Sequence, residues 1–325
     1  MADEIITELT TKVLRKSKGA KVAFGDYISV YYEGRFLDDQ DFDANYDFLN
    51  HRPYGQAVSA FQDEGNIFIR DANEAYPFSF TLGNGEVIQG WDLGLEGRRL
   101  GEVVELTIPA SLAYGEIGAG DSIPPNTPLE FTVELVEAYP IATEENPSPE
   151  PFLLPNLKDF GIKTKALGLK AKHLEMVRDT MIGLDGSDVM NGQNDVDLLL
   201  GLKGNDKLHG AGGGDLMVGG KGQDRFVYKD ITESLAFKGL SDMIFGFQKK
   251  DKIDLKKLNK TETLNKSETL TFIESEEFNG LAGEVRFNVG LKTSSLQLDS
   301  DGDGSAEFEI LMPKTTRFTE ANLIF

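Results

Sequence analysis

Cysteine is absent from the 325 residues, and histidine occurs only three times. Without cysteine the chain forms no disulfide, offers no thiolate nucleophile and builds no cysteine-based zinc site. The three histidines, His51, His173 and His209, lie far apart in the sequence. We therefore expect neither a histidine-built metal site nor a Ser-His-Asp triad.

Long apolar runs and positive charge are also scarce. No stretch approaches the roughly 18 apolar residues of a membrane-spanning helix, so no membrane span is expected. The opening residues MADEIITELTTK lack the basic segment and the apolar run of a secretory signal peptide. Lys and Arg total 33 against 54 Asp and Glu, which gives a net charge of -21. Such a surface repels nucleic acid and anionic lipid, so neither is an expected partner.

A proline-rich, acidic stretch divides the chain. Proline fixes φ and removes a backbone donor, so residues 139–158, which include NPSPEP, are predicted to form a semi-extended linker. Before it, the alternating segments YISVYYEGRFL, VVELTI and LEFTVELVEA predict a mainly β domain over residues 1–138, with a short helix in EVIQGWDLGLEG. Residues of about 48–76 lack clear periodicity and are interpreted as an insertion. After the linker, KALGLKAKHLEMV predicts an amphipathic helix.

A nine-residue repeat lies within the second domain, residues 159–325. Each repeat opens with glycine, carries aspartate five residues later and places an apolar side chain two residues after the aspartate. This regularity predicts a coil that turns at glycine, binds a cation at the turn and buries one side chain in a short strand. The aspartates, with one degenerate step before the first full repeat, are Asp179, Asp188, Asp197, Asp206, Asp215 and Asp224.

These repeats resemble the G-G-x-G-x-D-x-U-x nonapeptides of RTX, or hemolysin-type, calcium-binding proteins. The resemblance implies a parallel β-roll in the domain of residues 159–325, with its repeats over about residues 174–227, two nonapeptides per coil and a β-rich C-terminal cap. It implies structural Ca²⁺ in the turns, with Asp188, Asp206 and Asp224 on one edge and Asp179, Asp197 and Asp215 on the other. It also implies export by type I ABC export machinery without an N-terminal signal, and hence an extracellular location.

A second acidic segment, DSDGDGSAE, begins at Asp299. It starts like an EF-hand loop, but the twelfth position is Ile310 where that loop requires Glu. The favoured interpretation is a β-turn between two strands, with the EF-hand-like loop as the alternative.

The first domain contains VYYEG, DFDAN, PFSFTLGNGEVIQGWDLGLEG and ASLAYGEIGAGDSIPPNTPLEFTVELVEA in that order. Together these strings resemble the FKBP-type peptidyl-prolyl cis-trans isomerases over about residues 8–138, apart from the insertion. The resemblance implies a twisted antiparallel sheet wrapped around one short helix, with the active site between helix and sheet. The fold expected for the whole chain is therefore two-domain and mainly β, an FKBP-like α+β domain followed by the β-roll.

The same resemblance implies an apolar catalytic pocket that needs no catalytic cofactor. Rotation about an X-Pro bond crosses a barrier of about 18–20 kcal/mol caused by amide resonance, and no bond breaks. A pocket that holds the proline ring and desolvates the amide is therefore sufficient. Ala119 stands where the family often has histidine, which predicts an altered sequence preference. The implied pocket residues are Tyr32, Phe42, Asp43, Phe78, Val87, Ile88, Trp91, Tyr114, Ile123 and Phe131.

Two functions are compatible with these patterns. The first is a secreted isomerase that acts on proline-containing peptides or proteins and carries a calcium-folded export domain. The second is a non-catalytic extracellular peptide-binding protein or chaperone that uses the same pocket. Taken singly, Trp91 or Phe131 is typical of an ordinary core, and only the ordered combination predicts a pocket. The complete aromatic set favours the enzyme, whereas the insertion beside it favours the binding protein.

Overall fold

The computed structural model describes residues 6–37, 41–44, 46–47, 52–53, 77–141, 157–158, 160–174, 176–177, 179–237, 239–258 and 269–325. The chain divides into two compact units, Met1–Ile162 and Lys163–Phe325. The predicted insertion at 48–76 lies outside the described residues, except for Arg52–Pro53, and so does most of the predicted linker. The predicted domain limits therefore stay predictions. No helix in the described ranges is long and apolar enough to cross a membrane.

The first unit is built on an antiparallel sheet. Its strands are β1 (Thr10–Arg15), β2 (Tyr27–Phe36), β3 (Asp41–Ala44), β6 (Phe78–Thr81), β7 (Val103–Ile108) and β8 (Leu129–Tyr139), with β4 (Tyr46–Asp47) and β5 (Arg52–Pro53) as a separate small pair. The order is β1-β7-β8-β2-β3, and β6 also pairs with β2. The three alternating segments of the sequence thus form the three central strands, as predicted.

One helix, α1 (Gln89–Leu95), packs against this sheet where the sequence predicts it. Its two glycines allow the close approach. A Cβ at Gly90 would lie 2.4 Å from the side chain of Ile108, and one at Gly94 would lie 2.8 Å from that of Leu106. The helix can therefore lie almost directly on β7, which buries Trp91.

The second unit contains two parallel sheets. One contains β9 (Asp179–Ile182), β11 (Asp197–Leu200), β13 (Leu216–Val218) and β15 (Asp242–Ile244), and the other contains β10 (Val189–Asn191), β12 (Lys207–His209), β14 (Arg225–Val227) and β16 (Lys252–Asp254). Within the repeats the pairing joins residues eighteen apart. Leu208 pairs with both Met190 and Phe226, and Leu199 pairs with Met181 and Met217. Two nonapeptides therefore complete one coil, as predicted, and the apolar side chains fill its interior.

The C-terminal strands extend both sheets. An antiparallel run of β18 (Glu284–Asn288), β19 (Thr293–Asp299) and β20 (Phe308–Pro313) joins the first sheet where β20 pairs with β15. The short β17 (Thr271–Phe272) completes that sheet beyond β18, and β21 (Leu323–Ile324) adds to the other beside β16. The predicted cap is thus continuous with the roll and shares its apolar core.

One local prediction needs correction. The single helix predicted in KALGLKAKHLEMV is two short helices, α2 (Thr164–Leu167) and α3 (Ala171–Leu174). Gly168 ends α2 with φ of +90°, the left-handed conformation that closes helices. Beyond the recognisable repeats, the parallel coil continues through β15 and β16.

Candidate functional site

An aromatic cluster lies between α1 and the sheet of the first unit. Trp91 is central, with the ring of Phe131 perpendicular to it at 5.1 Å and that of Tyr32 at 5.2 Å. Phe78 lies 6.1 Å from both Trp91 and Tyr32. Edge-to-face contacts at these distances hold the rings in fixed relative orientations. The helix and three strands thus bring four of the predicted pocket residues together.

The other predicted pocket residues divide into two groups. Ile123 is buried in the same apolar cluster, and Val87, Ile88 and Tyr114 pack against it while partly exposed. This mixture of buried base and half-exposed border is what an apolar binding pocket requires. The side chains of Phe42 and Asp43 lie outside the described residues, and only the backbone of β3, which pairs with β2, places them at this edge of the sheet.

A tight loop holds Tyr114 and Ile123. Ala119 and Ile123 exchange two backbone hydrogen bonds of 2.9 and 3.1 Å, and the N–H of Asn126 donates to the carbonyl of Gly115 at 2.8 Å. The positions of the two predicted pocket residues are therefore set by backbone bonds within the loop. Beside it, Ile88 precedes α1, and its carbonyl accepts from the N–H of Trp91 at 2.9 Å. In the described part of the chain the N–H of Ile88 itself has no hydrogen-bond partner.

Phe80 is a contributor that the sequence reasoning missed. Its ring stacks on that of Phe78 at 5.5 Å and lies 5.8 Å from Trp91. It is fully buried, so it supports the cluster from within the core. The alternation in PFSFT carried the signal, because residues two apart on a strand point to the same face.

In the second unit the repeat aspartates form two hydrogen-bonded ladders. The carboxylates accept backbone N–H groups either from their own turn or from the turn one coil earlier. Leu184 N donates to Asp188 Oδ2 at 2.9 Å, and Asp188 N donates to Asp206 Oδ1 at 3.0 Å. In the next coil, Asp206 N donates to Asp224 Oδ1 at 3.1 Å. The other edge repeats this pattern from Asp197 N to Asp215 Oδ1 at 2.9 Å. The backbone of Asp179 pairs with Asp197, while its side chain lies outside the described residues.

Both ladders continue into two aspartates that the sequence reasoning missed. Asp215 N donates to Asp242 Oδ1 at 2.9 Å, and Asp224 N donates to Asp251 Oδ1 at 3.1 Å. Gln248 N also donates to Asp251 Oδ2 at 2.7 Å, the bond that Asp188 makes in its own turn. The signal was present, because the nine-residue phase runs from Asp224 through Glu233 to both residues.

The ladders concentrate buried negative charge. Burial raises the pKa of Asp206 to about 7 and that of Asp215 to about 9, with neighbouring carboxylates adding to both. Burial likewise raises the pKa of Asp251 to about 6 and lifts those of Asp224 and Asp242 above their ordinary value. The Oδ2 atoms of Asp206, Asp215 and Asp224 are buried and lack a hydrogen-bond partner in the part of the chain that the structure describes. Such oxygens fit a hard cation.

Glycine keeps room around these oxygens. A Cβ at Gly201 would lie 2.4 Å from Asp206 Oδ2 and 2.5 Å from the carbonyl oxygen of Gly219, so both oxygens converge on one point. Carboxylate and carbonyl oxygens are the ligands that Ca²⁺ takes in proteins. The chemistry of the donor set therefore fits calcium.

The segment from Asp299 is a hairpin turn between β19 and β20. Carboxylate oxygens of Asp299, Asp301, Asp303 and Glu307 lie within 4.8 Å of one another. Asp299 already accepts from the N–H groups of Gly302 and Gly304, and Glu307 accepts from Ser300. The buried carboxylate of Asp299 thus accepts hydrogen bonds within the turn, which agrees with the favoured β-turn interpretation.

Comparison with known proteins bears on both units. The model of the family "FKBP-type peptidyl-prolyl cis-trans isomerase" matches residues 18–136. FK506-binding protein 2 of Candida glabrata is 35% identical over 136 residues, which span 42% of this chain and 82% of that protein. The chain belongs to the FKBP-type peptidyl-prolyl cis-trans isomerases.

Other FKBP relatives agree over shorter stretches. Peptidyl-prolyl cis-trans isomerase FKBP53 of Arabidopsis thaliana is 48% identical over 79 residues, or 24% of this chain and only 16% of that protein. A solved peptidyl-prolyl cis-trans isomerase of Pseudomonas syringae is 28% identical and covers 40% of this chain and 74% of its own, with a TM-score of 0.29. The prediction of an FKBP-type enzyme is confirmed at the level of the family.

The second unit matches a different family model. "Peptidase M10 serralysin C terminal" matches residues 174–325, which include the repeats, β15, β16 and the cap. The predicted order of an FKBP-type domain followed by an RTX-type β-roll is confirmed. The roles of individual pocket residues and aspartates stay predictions.

Proposed function

We propose that the protein is a secreted peptidyl-prolyl cis-trans isomerase whose second unit folds around calcium. The observation that carries the catalytic half is the assembly of Tyr32, Phe78, Trp91 and Phe131 into one ring cluster bordered by partly exposed residues. No nucleophile is required, because the reaction only rotates the amide.

Each pocket residue has a proposed task. Trp91 forms the floor for the proline ring, and Tyr32, Phe42 and Phe131 form the walls, with Phe78, Val87 and Ile123 completing the apolar lining. The N–H of Ile88 and the hydroxyl of Tyr114 hold substrate carbonyls, and Asp43 shapes the local field. An amide desolvated in such a pocket loses part of its resonance stabilisation, which favours the twisted transition state.

The second unit supplies folding rather than chemistry. When bound, Ca²⁺ neutralises the repeat carboxylates. Without a cation, buried carboxylates repel one another and oppose coiling, so the unit stays unfolded where calcium is scarce. In roughly millimolar extracellular calcium the unit folds, which makes export directional. The match to a serralysin C-terminal domain supports this role and the use of a type I export route.

The experiment that tests the proposal measures isomerisation of a short proline peptide by NMR exchange. The full chain is compared in calcium and in chelator, beside Phe131→Ala. We expect activity in both buffers and at least about a tenfold lower kcat/KM in the variant, because Phe131 packs directly on Trp91. Phe24→Ala, at an exposed phenylalanine, is the matched control.

Deleting a buried phenyl ring costs about 3–5 kcal/mol of folding stability, so Phe131→Ala can lose activity by unfolding. A thermal unfolding curve of the variant shows whether it is still folded at the assay temperature. A folded wild-type chain without activity in either buffer would contradict the enzyme and leave the peptide-binding protein or chaperone. Activity that required calcium would contradict the independence of the two units.

A further inference from the structure

Most of the net charge of this chain lies in the part of the sequence that supplies the pocket residues. Residues 38–139 contain nineteen Asp and Glu against four Lys and Arg, so they carry -15 of the total -21. They also contain every proposed pocket residue except Tyr32. By contrast, residues 1–37 carry six Lys and Arg against five Asp and Glu. The asymmetry lies within one unit and needs a structural account.

Basic side chains in the described part of the first unit collect at the edge away from the pocket. The basic run of residues 12–21 belongs to β1 and the loop after it, and β1 is the edge strand opposite β3 in the sheet order. Arg99 follows the C-terminus of α1 and forms an isolated backbone β-bridge with Lys21. Its guanidinium donates to the carbonyl of Gly19 at 2.8 Å. Nearer the pocket, Arg35 on β2 is engaged by Thr132 and Glu130.

Three exposed carboxylates lie within two residues of predicted pocket residues in the sequence. Glu86 directly precedes Val87 and Ile88 in sequence, Glu116 lies two residues after Tyr114, and Asp121 lies two residues before Ile123. None of these three carboxylates forms an ion pair with a basic side chain in the described ranges. We name Glu86, Glu116 and Asp121 the rim acids, because each is exposed and adjoins a predicted pocket residue in the sequence.

An exposed apolar side chain accompanies them. Ile117 is 89% exposed in the loop that the Ala119–Ile123 hydrogen bonds close. Lys and Arg present an aliphatic stem and a charged head. A substrate Lys or Arg can pack its aliphatic chain against Ile117 and place its positive charge beside Glu116 or Asp121. A substrate Asp or Glu at the same place would be repelled by these carboxylates.

We propose that this pocket selects prolines flanked by lysine or arginine. The inference rests on the proposed isomerase function and names its substrate class. The rim acids act through the solvent, so the preference arises mainly in association and weakens with ionic strength. Screening lengths of about 10 Å at 0.1 M salt are comparable with the reach of a flanking side chain.

The test uses the full chain in constant calcium and three peptides, Ala-Lys-Pro-Lys-Ala, Ala-Leu-Pro-Leu-Ala and Ala-Glu-Pro-Glu-Ala. Protease-free NMR exchange gives kcat/KM at low and high salt. At low salt we expect the lysine peptide to exceed the glutamate peptide by about tenfold. At about 1 M salt the ratio should fall toward one. The double variant Glu116→Gln/Asp121→Asn should lower the low-salt ratio to about threefold.

The matched control is Glu96→Gln/Glu137→Gln, which removes two exposed charges away from the rim and should keep most of the ratio. Activity on the leucine peptide with equal rates for lysine and glutamate would overturn the substrate class and leave the isomerase standing. A ratio that persisted in high salt, or fell equally in both double variants, would also overturn it. No activity on the leucine peptide would instead reject the isomerase.

Discussion

Gly118 lies in the loop that carries Tyr114 and Ile123, and its φ is +73°. A Cβ at this position would lie 2.2 Å from the carbonyl oxygen of Ile123. Because the clash is with backbone, Ile123 must move and the border of the pocket must move with it. We expect Gly118→Ala to lower kcat/KM for a proline peptide by about tenfold, measured by NMR exchange.

Gly120→Ala provides the control for this loop. Gly120 also has positive φ, +53°, but a Cβ there would have no atom within 4 Å. It carries the left-handed penalty of about 1–2 kcal/mol without the collision. Equal loss of activity in both variants would show that backbone strain alone matters, and would contradict a positioning role for Gly118.

Gly201 has the corresponding importance in the second unit. A methyl group there would occupy the point on which Asp206 Oδ2 and the Gly219 carbonyl converge. Gly201→Ala should therefore weaken calcium-induced folding at least about tenfold, measured as the calcium midpoint by circular dichroism. Gly186→Ala is the control, since a Cβ at Gly186 meets nothing within 4 Å. A midpoint that shifts equally in both variants would contradict the role of Gly201 in leaving room beside the Asp206 carboxylate.

At the scale of elements, β16 tests how far the calcium coil extends. Asp251, just before β16, accepts from Asp224 N and Gln248 N in the geometry of the repeat aspartates. We expect Asp251→Asn to remove about one Ca²⁺ from the stoichiometry found by calorimetric titration, or to weaken one site about tenfold. Asp195→Asn, at an exposed position inside the repeats, should change neither value. An unchanged titration for Asp251→Asn would show that Asp251 binds no calcium, and that the calcium sites extend no further than Asp224.

The sequence predicts the coil because glycine, aspartate and an apolar residue each recur in one phase. It misses the continuation because the segment 228–236 interrupts that pattern. Tyr228 and Ile231 occupy positions where the repeats have glycine, so this segment cannot make the tight turn and leaves the coil. Pairing across it joins residues 27 apart, Asp224 to Asp251, rather than eighteen. The nine-residue phase alone would have located Asp242 and Asp251, but the residue types between them and the repeats concealed them.

The pocket was predictable for a different reason. Its residues come from elements far apart in sequence, so periodicity alone could not bring Tyr32, Trp91 and Phe131 together. The ordered family strings did so, and the ring contacts place these three within 6.4 Å of one another. Phe80 was missed because it has no counterpart among the residues that the resemblance marks. The prediction of one helix at 165–177 failed because the apolar periodicity continues across Gly168, whereas the helical backbone ends there.

At the scale of the whole molecule, the two units depend on different stabilising terms. The core of the first is an apolar cluster, and its buried Arg15 is paired with Glu134. The second buries aspartates along both ladders, and many of them have raised pKa values. Calcium removal should therefore unfold the second unit selectively, which is the physical basis for expecting isomerase activity to survive chelation.

The same charges predict how the calcium-free second unit responds to pH. An unfolded aspartate has a pKa of about 3.9, and the folded-state values of Asp251, Asp206 and Asp215 are raised to about 6, 7 and 9. The folded state therefore binds protons more tightly, and the stability this confers at low pH is lost as the pH rises through the folded-state values.

In chelator, the folded fraction of the second unit should fall as the pH rises from 5.5 to 8, measured by circular dichroism on the signal that calcium restores. Added calcium should raise the folded fraction most at pH 8, because the deprotonated carboxylates are its ligands. Asp215→Asn should flatten the chelated profile, since it replaces the titrating group by a neutral amide of the same shape. A folded fraction in chelator that rose over this range would mean that the fold itself stabilises the ladder carboxylates as anions, and it would contradict a need for calcium to neutralise them.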